Sequence, residues 1–172
     1  ILIPVYRNEG GLEELVVRIE ACMKNSVYAD SFELILVDDC SPDNSWQMIQ
    51  KLATNYAFLQ GATLSRNFGQ HNAIMAGLNL VQGAYVVLMD DDLQHPPEEI
   101  HKLLNRLDEG FDVVYGAPTR LPHSMWRNLF SWLTKRMLAM VMGIPTVREI
   151  GAFRAFRTHL RNAFAHYQSP NV

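Results

Sequence analysis

Short apolar runs alternate along this chain with segments whose apolar residues recur at helical spacing. Most residues in the runs are uncharged, which indicates strands that are buried on both faces. Such strands, alternating with helices, predict an α/β fold with a mostly parallel central sheet flanked by helices. The predicted strands span residues 1–5, 32–37, 59–64, 85–89, 111–115 and 151–157.

The segments between these runs carry the predicted helices. One helix is expected over residues 67–80, and Pro97 suits the first turn of another. With 172 residues the chain is long enough for one domain with a sizeable core. Helical spacing is carried by Leu12, Leu15, Val16, Ile19 and Met23, by Met48, Ile49 and Leu52, and by Ile100, Leu103, Leu104 and Leu107.

Polar clusters follow three of the predicted strands directly. Residues 38–39 follow the second strand, residues 65–67 the third, and residues 90–92 the fourth. The carboxyl ends of parallel strands lie at one edge of a sheet, where open α/β folds bind their ligands. The competing interpretation is three independent helix caps that share no site. We expect the three clusters to form one site.

Three adjacent carboxylates, Asp90, Asp91 and Asp92, end an uncharged strand-like run. Their mutual repulsion would be relieved by a divalent cation, and hard oxygen ligands suit Mg²⁺ or Mn²⁺. In extended backbone alternate side chains share a face, so Asp90 and Asp92 are expected to face one ion while Asp91 points away. The alternative is an acidic turn that precedes the helix beginning near Pro97.

Charge and cysteine content narrow the class of protein. The formal net charge of −3 argues against a nucleic-acid binder that relies on a global basic field. Cys22 and Cys40 match no metal-ligand spacing, so we predict two free thiols in a reducing compartment, with a disulfide as the alternative. The chain begins inside a predicted strand without Met, and we expect it to be a piece of a longer, membrane-anchored protein.

Taken together, these motifs resemble family 2 glycosyltransferases of GT-A fold. The resemblance rests on Ile3-Pro4-Val5-Tyr6-Arg7-Asn8-Glu9, Val37-Asp38-Asp39-Cys40-Ser41-Pro42-Asp43 and the cluster Asp90-Asp91-Asp92. Two further segments are similar to the polyprenyl-phosphate branch, which includes dolichyl-phosphate mannose synthases and undecaprenyl-phosphate glucose and aminoarabinose transferases. These segments are Leu64-Ser65-Arg66-Asn67-Phe68-Gly69-Gln70-His71 and Asp92-Leu93-Gln94-His95-Pro96-Pro97-Glu98. The resemblance covers nearly the whole chain and implies a single GT-A catalytic domain over residues 1–172 that lacks C-terminal membrane segments.

The resemblance also implies roles for individual residues. Asp90, Asp92 and Gln94 would hold Mg²⁺ or Mn²⁺ with the donor diphosphate, and Asp39 would meet the base or ribose. Asp91 fills the variable middle position of the Asp-x-Asp motif, among the nucleotide-binding residues. The other residues implied to bind the nucleotide or its sugar are Pro4, Tyr6, Glu9, Ser65, Arg66 and Asn67.

The implied reaction is inverting transfer of a sugar from a UDP- or GDP-linked donor to a polyprenyl phosphate at the cytoplasmic face of a membrane. Arg127, with Arg120 or Arg136, is predicted to bind the lipid phosphate, because these cations lie among Trp126, Phe130 and Trp132. Asp90, Asp92 and Arg127 thus form the predicted catalytic set. A core helix is the alternative for this basic and apolar segment.

Departures from the family pattern and rival functions stay open at this point. Arg7 is inserted where many relatives have Asn directly after Tyr, and Glu149 lies where relatives often carry an Asp. One rival function is a glycosyltransferase of the same family that acts on a polysaccharide or another soluble acceptor. Another is a catalytically silent module that binds nucleotide sugars. The sequence leaves the sugar, the nucleotide and the oligomeric state open.

Overall fold

A computed structural model describes residues 1–116 and 153–163 of the chain. Strands and helices alternate through these residues, as the apolar pattern predicts. The strands are β1 (Leu2–Val5), β2 (Leu34–Asp38), β3 (Leu59–Thr63), β4 (Tyr85–Leu88), β5 (Val113–Tyr115) and β6 (Arg154–Arg157). The helices are α1 (Leu12–Lys24), α2 (Ser45–Asn55), α3 (Gln70–Leu78) and α4 (Ile100–Asp108), with 3₁₀ turns at Pro97–Glu99 and Thr158–Ala163.

The six strands form one sheet in the order β3-β2-β1-β4-β6-β5. The first four strands in this order are parallel, whereas β6 is antiparallel to both β4 and β5. The predicted α/β fold is therefore confirmed, and the sheet is mixed. Apolar periodicity identifies a strand but not its direction, so the reversal of β6 was not visible in the sequence.

Alternate residues of the central strands pack into two cores, one on each face of the sheet. In β1, Ile3 joins a core with α1, α2 and α4, while Leu2 joins a second core with α3. The same alternation in β2 and β4 explains why these runs are apolar throughout, since both of their faces are covered. The sheet thus provides a rigid base for the loops at its carboxyl edge.

Helix α3 lies especially close to the sheet. A side chain at Gly77 would collide with Leu2 and Val37, both of which are fully buried, so only a residue without Cβ fits without repacking. This close approach at Gly77 packs α3 directly against β1 and β2. No helix within the described ranges is long and apolar enough to cross a bilayer.

Candidate functional site

We compared two concavities on the part of the chain that the structure describes. The larger, about 600 Å³, lies beside α1 and α4 and is lined by residues such as Val17, Cys22 and His101. None of the predicted ligand-binding residues belongs to it. The smaller, about 440 Å³, lies at the carboxyl edge of the sheet and is lined by Pro4, Val5, Tyr6, Asp39, Asn67, Gly69, Gln70, Asp90, Asp91 and Asp92. We assign the candidate site to this smaller cavity, because chemistry-bearing side chains converge there.

The acidic cluster after β4 lies in a turn rather than in extended backbone. The strand ends at Leu88, and residues 91–92 already form the turn, so strand alternation cannot orient Asp90 and Asp92. Asp90 is half-buried, and its Oδ1 accepts a hydrogen bond from Nε2 of Gln70 at 2.6 Å. Asp92 is exposed, and its Oδ1 accepts the backbone N–H of Gln94 at 3.0 Å.

Asp91 ties this turn to the loop that follows β1. Its Oδ2 accepts the backbone N–H of Tyr6 at 3.4 Å, and its backbone carbonyl accepts Nδ2 of Asn8 at 2.6 Å. Burial raises the pKa of the Asp91 carboxyl, against the effect of these hydrogen bonds. The side chain of Asp91 thus positions the β1 loop against the turn.

The acidic pair at the end of β2 is buried and hydrogen-bonded. Asp38 is 1% exposed and accepts hydrogen bonds from the backbone N–H of Ser41 and from Oγ1 of Thr63. Asp39 is 3% exposed, and its two oxygens accept the backbone N–H groups of Phe68 and Gly69, each at 2.8 Å. Both oxygens of Asp39 therefore hold the loop between β3 and α3.

Three of the predicted site residues lie in this loop and are exposed. Arg66 stacks over the ring of Phe68 at 4.5 Å, and Oδ1 of Asn67 accepts the backbone N–H of Gly69. Only Asn67 of these three lines the cavity, whereas Ser65 and Arg66 lie on the exposed part of the loop.

Of the predicted site residues at the end of β1 and in the loop after it, some line the cavity and others do not. Pro4 and Tyr6 line the cavity, and the Tyr6 side chain is 43% exposed. Glu9 instead accepts the backbone N–H of Asn44 at 2.8 Å, beside the start of α2. Arg7 has a left-handed φ of 58°. Glu9 and Gln94 are outside the cavity lining, and Arg127 lies outside the described residues together with Arg120, Arg136 and Glu149.

Gln70 and Gly69 also line the cavity, although neither was predicted to be a site residue. Gly69 has a φ of 89°, and Gln70 is the first residue of α3. Their signal in the sequence was weak: a glycine just after a polar cluster marks a turn, but it does not reveal what the next side chain contacts. The free state of Cys22 and Cys40, by contrast, is confirmed.

The acidic lining of the cavity offers oxygen ligands of the kind that Mg²⁺ and Mn²⁺ take. Asp90 and Asp92 supply hard carboxylate oxygens, but among residues 1–116 and 153–163 no three His, Cys, Asp or Glu side chains converge on one point. Mg²⁺ commonly uses one or two carboxylates together with substrate phosphates. The described lining contains four aspartates and no Lys or Arg, so a diphosphate would be repelled there without a cation.

Comparison with known proteins places this geometry in a family. The profile described as Glycosyl transferase family 2 matches residues 1–164. The chain is 37% identical over 171 residues to undecaprenyl-phosphate 4-deoxy-4-formamido-L-arabinose transferases of Yersinia pestis and Yersinia enterocolitica. Each match covers 96% of this chain and 50% of the relative, so the chain spans about half the length of these curated proteins.

Solved structures show the same fold at lower identity. A mannosyltransferase of Pyrobaculum calidifontis in complex with GDP-Man and Mn²⁺ matches with a TM-score of 0.69 and 18% identity, over 97% of this chain and 46% of that protein. Residues 1–349 of Staphylococcus aureus TarS match with a TM-score of 0.62 and 23% identity, over 99% and 50%. Glucosyl-3-phosphoglycerate synthase of Mycobacterium tuberculosis, with Mn²⁺ and UDP-glucose, matches with a TM-score of 0.65 and 18% identity, over 92% and 56%.

Proposed function

The chain belongs to glycosyl transferase family 2, and on this premise we propose that it transfers a sugar from a nucleotide-sugar donor to a polyprenyl phosphate. The observation that carries the proposal is the cavity where Tyr6, Asp39, Asn67, Asp90 and Asp92 meet at the carboxyl edge of the sheet. The 37% identity to undecaprenyl-phosphate sugar transferases supports a lipid phosphate as the acceptor. The expected site of action is the cytoplasmic face of a membrane, with residues 1–172 as one catalytic domain.

The residues of the cavity divide the work of binding the donor. Tyr6 and Pro4 offer a partly exposed ring and an apolar wall at the end of β1, where a nucleoside can pack. Asp39 closes the same end and holds the loop that carries Ser65, Arg66 and Asn67 beside the nucleotide and sugar. Glu9 supports this end from outside the lining through its hydrogen bond to Asn44.

Asp90, Asp92 and Gln94 face the diphosphate end in this proposal. The two aspartates would hold Mg²⁺ or Mn²⁺, and Gln94 lies beside them through its backbone bond to Asp92. When bound, such an ion neutralises the charge that develops on the nucleoside diphosphate as it leaves. Asp91 accepts hydrogen bonds from Tyr6 and Asn8 and so holds this turn against the loop at the nucleoside end. A phosphate acceptor is already ionised near neutral pH, so the attack needs no strong general base.

A donor screen tests the proposed function. Full-length protein in detergent is incubated with undecaprenyl phosphate and, in turn, with UDP- and GDP-linked sugars, before and after metal is stripped by a chelator. We expect one donor to yield glycosylated lipid only when Mg²⁺ or Mn²⁺ is present. Transfer to a soluble saccharide but not to the lipid would support the rival acceptor class, and nucleotide-sugar binding without any turnover would support a silent module.

Arg127 provides a separate test of the acceptor. With Arg120 or Arg136 it is proposed to bind the lipid phosphate, since arginine pairs bidentately with phosphate oxygens. Arg127→Ala is expected to weaken use of polyprenyl phosphate about 10-fold or more while donor affinity is retained. Titrations of donor and of acceptor on a variant with unchanged melting temperature check this. Equal acceptor affinity in the variant and the unchanged protein would remove Arg127 from the acceptor site.

A further inference from the structure

The loop residues directly before α3 are fixed to the end of β2 by a buried carboxylate. Asp39 accepts the backbone N–H groups of Phe68 and Gly69 with its two oxygens, each at 2.8 Å. Gly69 has a φ of 89°, which glycine adopts without strain, and the helix begins at the next residue. The backbone from which the Gln70 side chain extends is therefore held by the hydrogen bonds to Asp39 on one side and by the helix on the other.

Gln70 uses this fixed position to reach the acidic turn after β4. Its Nε2 donates a hydrogen bond of 2.6 Å to Oδ1 of Asp90, which crosses from α3 to the neighbouring strand end. A hydrogen bond to a charged acceptor is stronger than one between neutral groups. Within the described residues, Oδ2 of Asp90 accepts no hydrogen bond, so this oxygen is the one left for a ligand.

We infer that Gln70 is a positioning residue that holds Asp90 for ligation through one oxygen, and that it thereby favours Mg²⁺ and Mn²⁺ over Ca²⁺. The inference rests on the proposed function, because it takes Asp90 as a ligand of the donor-bound ion. Ca²⁺ takes about six to eight oxygens at flexible geometry and often binds a carboxylate through both oxygens. Mg²⁺ requires octahedral geometry at about 2.0–2.1 Å, and a carboxylate oxygen held in one orientation can fill one position of that octahedron.

Metal binding measured directly, without turnover, tests this inference. Free Mn²⁺ is followed by electron paramagnetic resonance as it binds the full-length protein in the presence of UDP or GDP, and Mg²⁺ or Ca²⁺ is then added as a competitor. Gln70→Ala is expected to bind Mn²⁺ about 10-fold more weakly, the usual cost of losing a partner of a metal ligand. Its preference for Mn²⁺ over Ca²⁺ is expected to narrow by a similar factor.

Two further variants control the measurement. Gln70→Met keeps the length and helix propensity of the side chain but lacks the amide donor, so it is expected to match Gln70→Ala. Gln50→Ala removes an exposed glutamine from α2, away from the cavity lining, and is expected to leave metal binding unchanged. Melting temperatures verify that all variants fold.

The outcomes separate the inference from the proposed function. Unchanged Mn²⁺ affinity and unchanged discrimination against Ca²⁺ in both Gln70 variants would overturn the inference while leaving the proposed metal site in place. No Mn²⁺ binding by the unchanged protein with either nucleotide would overturn both. Weaker Mn²⁺ binding together with a narrowed preference, in both Gln70 variants but not in Gln50→Ala, would support the role of Gln70.

Discussion

The acidic residues at the end of β2 and those at the end of β4 occupy the same edge of the sheet but differ in burial and hydrogen bonding. Asp38 and Asp39 are 1% and 3% exposed, and their oxygens accept hydrogen bonds from neighbouring loops. Asp90 is half-buried and Asp92 is exposed, with one oxygen of each free of described hydrogen bonds. The β2 acids thus build the site, whereas Asp90 and Asp92 are available to a ligand.

This difference follows from where each cluster lies relative to the helices. The end of β2 is covered by the loop that leads into α3, so its carboxylates meet backbone N–H groups that need acceptors. The end of β4 opens into a turn before the 3₁₀ segment that begins at Pro97. Acidic residues at equivalent strand ends therefore have two different roles. Mutation at the end of β4 is expected to affect turnover, and mutation at the end of β2 is expected to affect stability.

The largest expected effect is on turnover, at the end of β4. Asp92→Asn removes a charge from the proposed metal site but keeps the acceptor for the Gln94 backbone. Loss of several kcal/mol of transition-state stabilisation would lower turnover at least about 100-fold. Steady-state kinetics with saturating donor measure turnover, and a thermal melt shows separately whether the variant keeps its stability.

Asp30→Asn is the matched control for that experiment, because it neutralises an exposed aspartate remote from the cavity lining. We expect this control to retain full turnover, and both variants to melt at the temperature of the unchanged protein. Full turnover of Asp92→Asn, or of the unchanged protein in excess chelator, would contradict the assignment of Asp92 to a metal site.

The next effect is on stability, at the end of β2. Asp39→Ala removes the acceptor of the Phe68 backbone N–H and one of the two acceptors of the Gly69 backbone N–H, which costs about 1–3 kcal/mol in the free energy of unfolding. Because the same loop borders the proposed nucleoside end, donor affinity is expected to fall as well. Urea denaturation and donor titration of the same preparation check both effects.

Asp92→Ala serves as the reciprocal control for stability, since this side chain is exposed. If Asp92→Ala proved as destabilising as Asp39→Ala, the distinction between the two strand ends would be wrong. A structure with nucleotide bound far from Asp39 would remove this residue from the nucleoside end.

The smallest effect concerns pH and the loop that follows β2. Partial burial opposes the ionisation of Asp43, but hydrogen bonds from Ser45 and Glu9 outweigh it and hold the pKa of this carboxyl below its usual value. A lowered folded-state pKa contributes stability that is present above the unfolded pKa of about 3.9 and is lost as pH falls through the folded value.

In Asp43→Asn the free energy of unfolding is therefore expected to fall slightly less steeply as the pH drops below about 4. Urea midpoints measured from pH 3 to pH 7 test this, with the exposed Asp30→Asn variant as the reference. If the free energy of unfolding of Asp43→Asn fell as steeply with acid as that of the unchanged protein, the hydrogen bonds of Asp43 would not contribute to the pH dependence of stability.

The sequence predicted the strands closely and α3 less well. The predicted helix over residues 67–80 begins in the structure only at Gln70. The reason is tertiary: Asp39 captures the N–H groups of Phe68 and Gly69, so residues 67–69 form a loop instead of a first helical turn. Gln70 then becomes the residue that contacts Asp90, which no local pattern revealed.

The candidate site shows the same division. Parallel strands place their carboxyl ends at one edge, so Asp39, Asn67 and Asp90 could be assigned to one region from the order of strands, whereas Tyr6 was implied only by the family resemblance. Glu9 belongs to the same loops, but its carboxylate is used at the start of α2. The order of residues in the chain predicts which residues follow the end of a strand, whereas the hydrogen-bond partner of a given side chain depends on how separate loops meet.

By itself, the sequence determined the α/β alternation, the apolar character of strands covered on both faces, and the strand ends that carry acids, because these depend on local periodicity and composition. The tertiary structure decided the reversal of β6 and the use of each acid. Asp39 and its loop are about 30 residues apart in the chain, and Asp91 and Tyr6 are 85 apart. Hydrogen bonds over such separations form only after the sheet register and helix packing have fixed both partners, so burial and pairing of these carboxylates are properties of the assembled fold.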